Sequence, residues 1–429
     1  VKPIRAAAIA HRTLAKIVWF ILAALIAAPA YAAQPPNILL LLAEDLSPRL
    51  GAYGDPLAVT PNLDALAQNA ITYTRAFTTA GVCAPSRASL ITGQHQISFG
   101  AQHMRTSTGP LGQYYALPPA HLRAFPELLR QAGYYTFTDR KLDYQFSGTG
   151  AGTGPFTIWD IDGAGDTAWR NRKTGQPFFG LINLMETHES GVMRTDVEPY
   201  SESHARTIVM RRGGNLIARQ ITDPAAVELP PYYPDLPEVR RDIARHYDNI
   251  ANMDQRVGRI LKALQSDGLA HDTIVIWATD HGDGLPRAKR ELYDSGLHVP
   301  LLVAIPGEPA RTDTRLVSFV DLAPTILNFA KVPTPTYLHG RSIFAAPREY
   351  IFASRDRIDE IPDRQRAVRD ARFKYIRSDY PELPGGHPLT YRDNLDMVRA
   401  MRASFTAGTL TPEQAQWFTG LGTHRLYDT

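Results

Sequence analysis

Asn37-Ile38-Leu39-Leu40-Leu41-Leu42 is an apolar run bounded by Pro36 on one side and the acidic pair Glu44-Asp45 on the other. A strand that faces water on one side alternates apolar and polar residues. A run without alternation suits a strand covered on both faces, as in a parallel sheet flanked by helices. The same look recurs at 178–183, 273–278 and 301–305. Helical patterns lie between. Residues 61–69 follow Thr60, an N-cap candidate, with Pro61 at the first helical position. Residues 121–132 run to Gly133, a C-cap residue. Residues 239–266 carry Ile243, Tyr247, Ile250, Met253, Val257, Ile260, Leu261 and Leu264 at three- and four-residue spacing. Strands alternating with helices predict an α/β fold with a large, mostly parallel central sheet and helices on both faces.

The 429 residues allow two or three domains, and 44% apolar with 21% charged residues is ordinary for a folded protein. Lys plus Arg number 46 against 43 acids, so the net charge of +3 offers no reason to expect nucleic acid. One cysteine, Cys83, excludes an internal disulfide framework and a cysteine-rich metal site.

Residues 1–16 carry Lys2, Arg5, Arg12 and Lys16 and no acid, residues 17–28 are apolar, and Ala30-Tyr31-Ala32 ends the segment. This is the pattern of a cleaved signal peptide over 1–32, too short in its apolar part to span a membrane. The expectation is an exported protein, periplasmic or secreted, with no stable membrane span. A lone thiol is a liability in such an oxidising compartment, so Cys83 needs an explanation.

Residues 36–345 read as the main domain. Beyond them, 349–354, 366–370 and 373–377 are short strand-like runs, predicting a smaller antiparallel-sheet domain over 346–429. Thr411 and Pro412 start a short helix over 410–415. The length after that helix leaves no room for another element, so the small domain reads as truncated, with apolar sheet surface uncovered. The glycine-rich loop 148–154 lacks the lysine and the strand-to-helix setting of a phosphate-binding loop.

Ligands of open α/β sheets collect at the carboxyl ends of strands. The first apolar run ends in Glu44-Asp45, the second leads into Glu186 and His188, and the third ends in Asp280-His281. Acids from separate strand ends could share one hard cation. Taken singly, each is equally a solvated loop residue or a helix cap.

Cys83-Ala84-Pro85-Ser86-Arg87-Ala88-Ser89-Leu90-Ile91-Thr92-Gly93 matches without a gap the pattern C-x-P-S-R-x-x-L-x-T-G of the type I sulfatases. The sequence resembles that family, part of the alkaline phosphatase superfamily, from Pro36 to its last residue. The resemblance implies that Cys83 is oxidised by a maturation enzyme to formylglycine, whose hydrate attacks sulfur. It implies a divalent metal held by Glu44, Asp45, residue 83, Asp280 and His281. Calcium is the first expectation; the imidazole of His281 makes manganese the second. Glu44 departs from the usual pair of aspartates. Arg87 is implied to hold the hydrate, and Lys141, His188 and Lys289 to bind the sulfate. Asp143 stands where the family has a histidine, so that histidine's role is left open. His103-Met104-Arg105 is similar to a tripeptide bordering the pocket in relatives that act on sulfated sugars; an ordinary surface His and Arg read the same. Residues around Ser47-Pro48 and Glu186-Thr187-His188-Glu189-Ser190 are similar to the heparan N-sulfatase branch, which implies a sulfated polysaccharide as substrate and N-sulfoglucosamine chemistry as one version of it. Other readings are a phosphonate or phosphodiester hydrolase of the same fold and a non-catalytic sugar-binding homologue.

Overall fold

The computed structural model describes residues 35–104, 115–146, 157–214 and 216–429. The leader, the 148–154 loop and Arg105 lie outside the described residues. Strands β1 (Asn37–Ala43), β2 (Ile71–Phe77), β3 (Tyr135–Thr138), β4 (Phe178–Leu184), β5 (Thr273–Thr279), β6 (His298–Ala304) and β7 (Arg311–Asp313) form the main sheet in the order β3-β4-β1-β5-β6-β2-β7. A short β8 (Val317–Ser318) pairs with β2. The sheet is parallel from β3 to β5, and β6 runs antiparallel to both its neighbours.

The apolar run of β1 is covered on both faces, as its pattern requires. Leu39, Leu41 and Ala43 enter one core with Ile250, Met253 and Val257 of the long helix Pro237–Ser266. Ile38, Leu40 and Leu42 enter the opposite core with Leu129 and Ile326. The side chains of Ile38 to Ala43 are all fully buried, and truncating any of the leucines to alanine is expected to cost about 2–5 kcal/mol.

Several boundaries differ from the sequence reading. The helix expected over 121–132 spans only Phe125–Gln131. Pro126 has no N–H to bond the preceding turn, so the helix starts there. Thr60 makes no side-chain cap bond; its hydroxyl donates to Asp64 Oδ1 (3.1 Å) and accepts from Gly51 N–H (3.0 Å). The strand expected over 301–305 begins at His298 and ends at Ala304.

A second, antiparallel sheet has the order β12-β11-β10-β9: β9 (Ile351–Arg355), β10 (Gln365–Arg369), β11 (Phe373–Ser378) and β12 (His424–Asp428). β12 corrects the expectation that no strand fits after the last helix. Five residues suffice because they add to a ready edge, β11. Phe352 and Leu426 remain 52% and 69% exposed on this sheet. Both sheets belong to one compact unit, Pro36–Thr429. Phe77, Leu292 and Leu297 pack with Ile351, Ala367 and Ile376. Arg355 pairs with Glu291 (2.7 Å) and Lys374 with Asp294 (2.8 Å).

Asp242, on the long helix, is fully buried. Its Oδ2 accepts from Met397 N–H (2.8 Å), while Oδ1 has no hydrogen-bond partner. Burial raises its carboxyl to about 7. A carboxyl raised in the folded state binds its proton more tightly there than in the unfolded chain. Stability is therefore lost as pH rises from about 4 through 7. Asp242→Asn is expected to unfold several degrees above the parent at pH 8, with the gap closing towards pH 4. Thermal denaturation of both proteins across that range checks it.

Candidate active site

The register of the main sheet builds the site. Ala43 at the end of β1 lies opposite Leu184 of β4 and Thr279 of β5. Glu44, Met185 and Asp280, the next residues, therefore emerge together at one sheet edge. Facing them is α1 (Cys83–Thr92), every residue of which is buried. Gly93 closes α1 in the left-handed region (φ 66°), its N–H bonding Ser89 O (2.9 Å), as helix ends favour. The signature thus spells one short buried helix with its cap.

Cys83 opens that helix, and Arg87 lies one turn on, on the same face. The Arg87 guanidinium reaches all three strand ends. It pairs with Glu44, with Asp280 Oδ2 (Nε, 3.2 Å) and with Asn183 Oδ1. Burial would lower its pKa; Glu44 and Asp280 outweigh that and raise it. Ser86 Oγ donates to the Asp280 carbonyl, fixing the helix on β5.

Asp45 is the hub. Its backbone is left-handed (φ 50°). Oδ2 accepts from Lys289 Nζ (2.6 Å) and Glu189 N–H (2.7 Å). Oδ1 lies 3.1 Å from His281 Nε2. Burial favours its neutral form, but Lys289, His188 and His281 hold it well below the usual carboxylate range. Asp280 Oδ1 accepts from Asp45 N–H and His281 N–H, both at 3.0 Å. Glu44 is paired with Arg87 and Lys141, yet burial, helped by Asp280 and Asp45, raises its pKa.

Two overlapping groups have ligand atoms within 4.8 Å of one another: Asp45, Cys83, Asp280 and His281, and Glu44, Asp45, Cys83 and His188. The ring of His281 tests whether a cation fits. Its Nδ1 bonds the Gly282 carbonyl (2.9 Å), so Nδ1 carries a proton. Nε2 faces Asp45 Oδ1, Cys83 Sγ (3.3 Å) and Asp280 Oδ1 (3.7 Å). Burial would lower the imidazole pKa; Asp280 and Asp45 instead raise it well above its ordinary value. A proton on Nε2 thus stands where these groups would share a divalent cation. Carboxylate oxygens with one imidazole suit calcium or manganese.

The anion-binding groups flank this cluster. Lys141 Nζ is held by Glu44, with Asp143 Oδ2 at 3.7 Å. Lys289 Nζ bridges Asp45 and Glu189 Oε1 (3.0 Å). His188 Nδ1 accepts from Ser190 N–H (3.3 Å). Nδ1 also lies 2.8 Å from Ser190 Oγ. Burial, then Lys289, push the imidazole pKa down to about 3, so the ring is neutral. Asp143 is buried, with a left-handed backbone (φ 40°). His103 lies off the cluster, accepting from Arg357 N–H at Nδ1 (3.2 Å).

Glu189, quoted only within the 186–190 stretch, and Arg290 were given no site role from sequence. Arg290 holds Glu189 through both terminal nitrogens (2.8 and 2.9 Å), and the Glu189 carboxyl, though buried, falls to about 2. Each directly follows an assigned residue, His188 and Lys289. Asn183 and Asp139 were missed too; Asp139 Oδ2 accepts from Asn183 N–H (2.9 Å).

A buried cysteine at a helix start is set over carboxylates and an imidazole at the carboxyl edge of an α/β sheet. The sulfatase family model matches residues 36–171 and 166–332. The chain is 38% identical over 414 residues to an ulvan-active sulfatase of Formosa agariphila, covering 90% of this chain and 68% of that one. It is 31% identical over 352 residues to human N-sulphoglucosamine sulphohydrolase, covering 73% and 66%. The chain belongs to the sulfatase family. Among solved structures, a protein in complex with its substrate D-glucosamine-2-N,6-O-disulfate superposes with TM-score 0.60 over 81% of this chain and 90% of that one, at 17% identity. A phosphonate monoester hydrolase of Agrobacterium radiobacter superposes equally, TM-score 0.60 over 80% and 87%, at 19% identity. At these identities the likeness concerns the fold.

Proposed function

We propose that this sulfatase removes sulfate from a sulfated polysaccharide, using formylglycine at position 83 and one divalent cation, calcium first and manganese second. The observation that carries the reading is the clustering of Cys83 with Asp45, Asp280 and His281 within 4.8 Å, all fully buried. The names of the two relatives, ulvan-active and N-sulphoglucosamine, support a sulfated carbohydrate.

Asp45, Asp280 and His281 would hold the cation, with Glu44 and residue 83 beside them. Bound there, it would offset negative charge on the sulfate and on the attacking oxygen. A hydrated aldehyde at 83 would supply two hydroxyls, one to attack sulfur and one whose deprotonation releases sulfate. Arg87 fixes the helix that carries residue 83. Lys141 and Lys289 neutralise sulfate oxygens that would otherwise repel a nucleophile. His188 would pass a proton to the leaving oxygen or nitrogen. The leader-like start of the sequence supports action outside the cytoplasm.

Peptide mass spectrometry of the active enzyme tests the reading. The peptide holding residue 83 is expected to have lost hydrogen sulfide and gained one oxygen atom. An intact thiol in protein that releases sulfate overturns it. Paired sulfate and phosphonate esters separate sulfatase from phosphonate hydrolase; faster turnover is expected on the sulfate.

A further inference from the structure

A cavity of about 270 Å³ opens from His188 and Lys289, and its other lining includes Arg290, Asp359, Glu360 and Tyr391. It opens from groups assigned to sulfate, so the remainder of a substrate bound there would extend into it. The cations among its described lining residues both face carboxylates of the protein. Lys289 is held by Asp45 and Glu189. Arg290 spends both terminal nitrogens on Glu189, and its Nε, 3.6 Å from Asp359 Oδ2, makes no hydrogen bond among the described residues. Glu360 is different. Its Oε1 accepts from Thr390 N–H (3.3 Å), while the buried Oε2 has no hydrogen-bond partner among the described residues. The Tyr391 ring stands beside His188, centroids 6.5 Å apart and tilted by 60°. An aromatic face and a half-used carboxylate therefore share one cavity with the sulfate-binding groups.

A carboxylate only accepts hydrogen bonds. Its complement is a donor, and the hydroxyls of a sugar ring are donors. A carboxylate on the substrate would instead meet like charge in a confined space, where the two cations among the described lining residues already face carboxylates. We infer that Glu360 is a specificity-determining residue: it takes hydroxyl hydrogens of the sulfated unit, so that the pocket accepts an uncharged pyranose and rejects a uronic acid. This rests on the sulfatase reading and adds the class of sugar.

The test is equilibrium binding to the full-length, calcium-loaded Cys83→Ala protein, which holds ligand without turning it over. The probes are glucosamine N-sulfate and a 2-sulfated uronic acid. The Cys83→Ala protein is expected to bind glucosamine N-sulfate, whose ring bears no carboxylate, at least about tenfold more tightly. Adding Glu360→Gln is expected to weaken that sugar about tenfold and to narrow the gap. Adding Glu360→Lys is expected to reverse the preference, which a loss of folding does not do. Equal binding of the two sugars before Glu360 is changed, no binding of either, or an unchanged ratio in both Glu360 variants overturns the inference. Failure of the sulfatase reading shows separately, as absent sulfate release by protein retaining Cys83.

Discussion

Cys83→Ala is expected to release no sulfate above background, a loss on the order of 10⁶-fold, the scale on which enzymes lose turnover with their nucleophile. Its unfolding temperature is expected to stay close to the parent's. Cys83 is fully buried against Val82, Ala84, Met104, Ile358 and Leu389. Relative to the encoded thiol the change deletes one sulfur atom, and it strands no hydrogen-bond donor, because His281 Nε2 keeps Asp45 Oδ1 at 3.1 Å. The helix loses nothing, since alanine is the best helix former. Cys83→Ser separates the two halves of the chemistry. A serine hydroxyl can attack sulfur, but there is no second hydroxyl to expel the sulfate. The serine protein is expected to stop at one sulfate per chain, visible as added sulfate in its intact mass. Repeated turnover near the parent rate by either variant refutes formylglycine at 83.

The parts of this site that could be read from sequence are those where one residue type has few alternatives. Leu39 to Leu42 are legible because an unbroken apolar run fits a strand covered twice. Cys83 and Arg87 are legible because a long gapless pattern fixes them together. Asp45 and Asp280 could be named as strand-end acids, but their meeting depends on the register that sets Ala43 beside Thr279. Pattern alone does not reveal register. Glu189 and Arg290 show the limit most clearly. A glutamate beside a histidine and an arginine beside a lysine read as surface charges, yet both are nearly fully buried and paired with each other. Burial of charge is decided by the partner, and partners 101 residues apart carry no local signal. β12 failed for a related reason. The length of chain left after Ala415 says nothing about the open edge of β11 that His424–Asp428 joins.

Asp45→Ala is expected to lose the cation and with it activity, by at least about 10³-fold. The argument is the number of roles one carboxylate fills. Oδ1 faces His281 and Cys83, the side on which a cation would bind. Oδ2 anchors Lys289 and the Glu189 backbone, the side on which sulfate would bind. Removing it frees Lys289 to turn wholly to Glu189, 3.0 Å away, and so away from the sulfate. Asp45→Asn keeps the shape and an acceptor for the Glu189 N–H, but drops the charge. If the charge is what holds the cation, the asparagine variant fails as the alanine variant does. If Asp45 only positions the loop, the asparagine variant keeps its metal. Elemental analysis after dialysis decides between these. The parent is expected to retain one divalent cation per chain and both variants well under a tenth of that, on the reasoning that one of few charged ligands is gone. Stripping the parent with a chelator and restoring it with calcium or manganese then tells which ion the His281-containing site prefers. Full metal occupancy in either variant refutes Asp45 as a ligand.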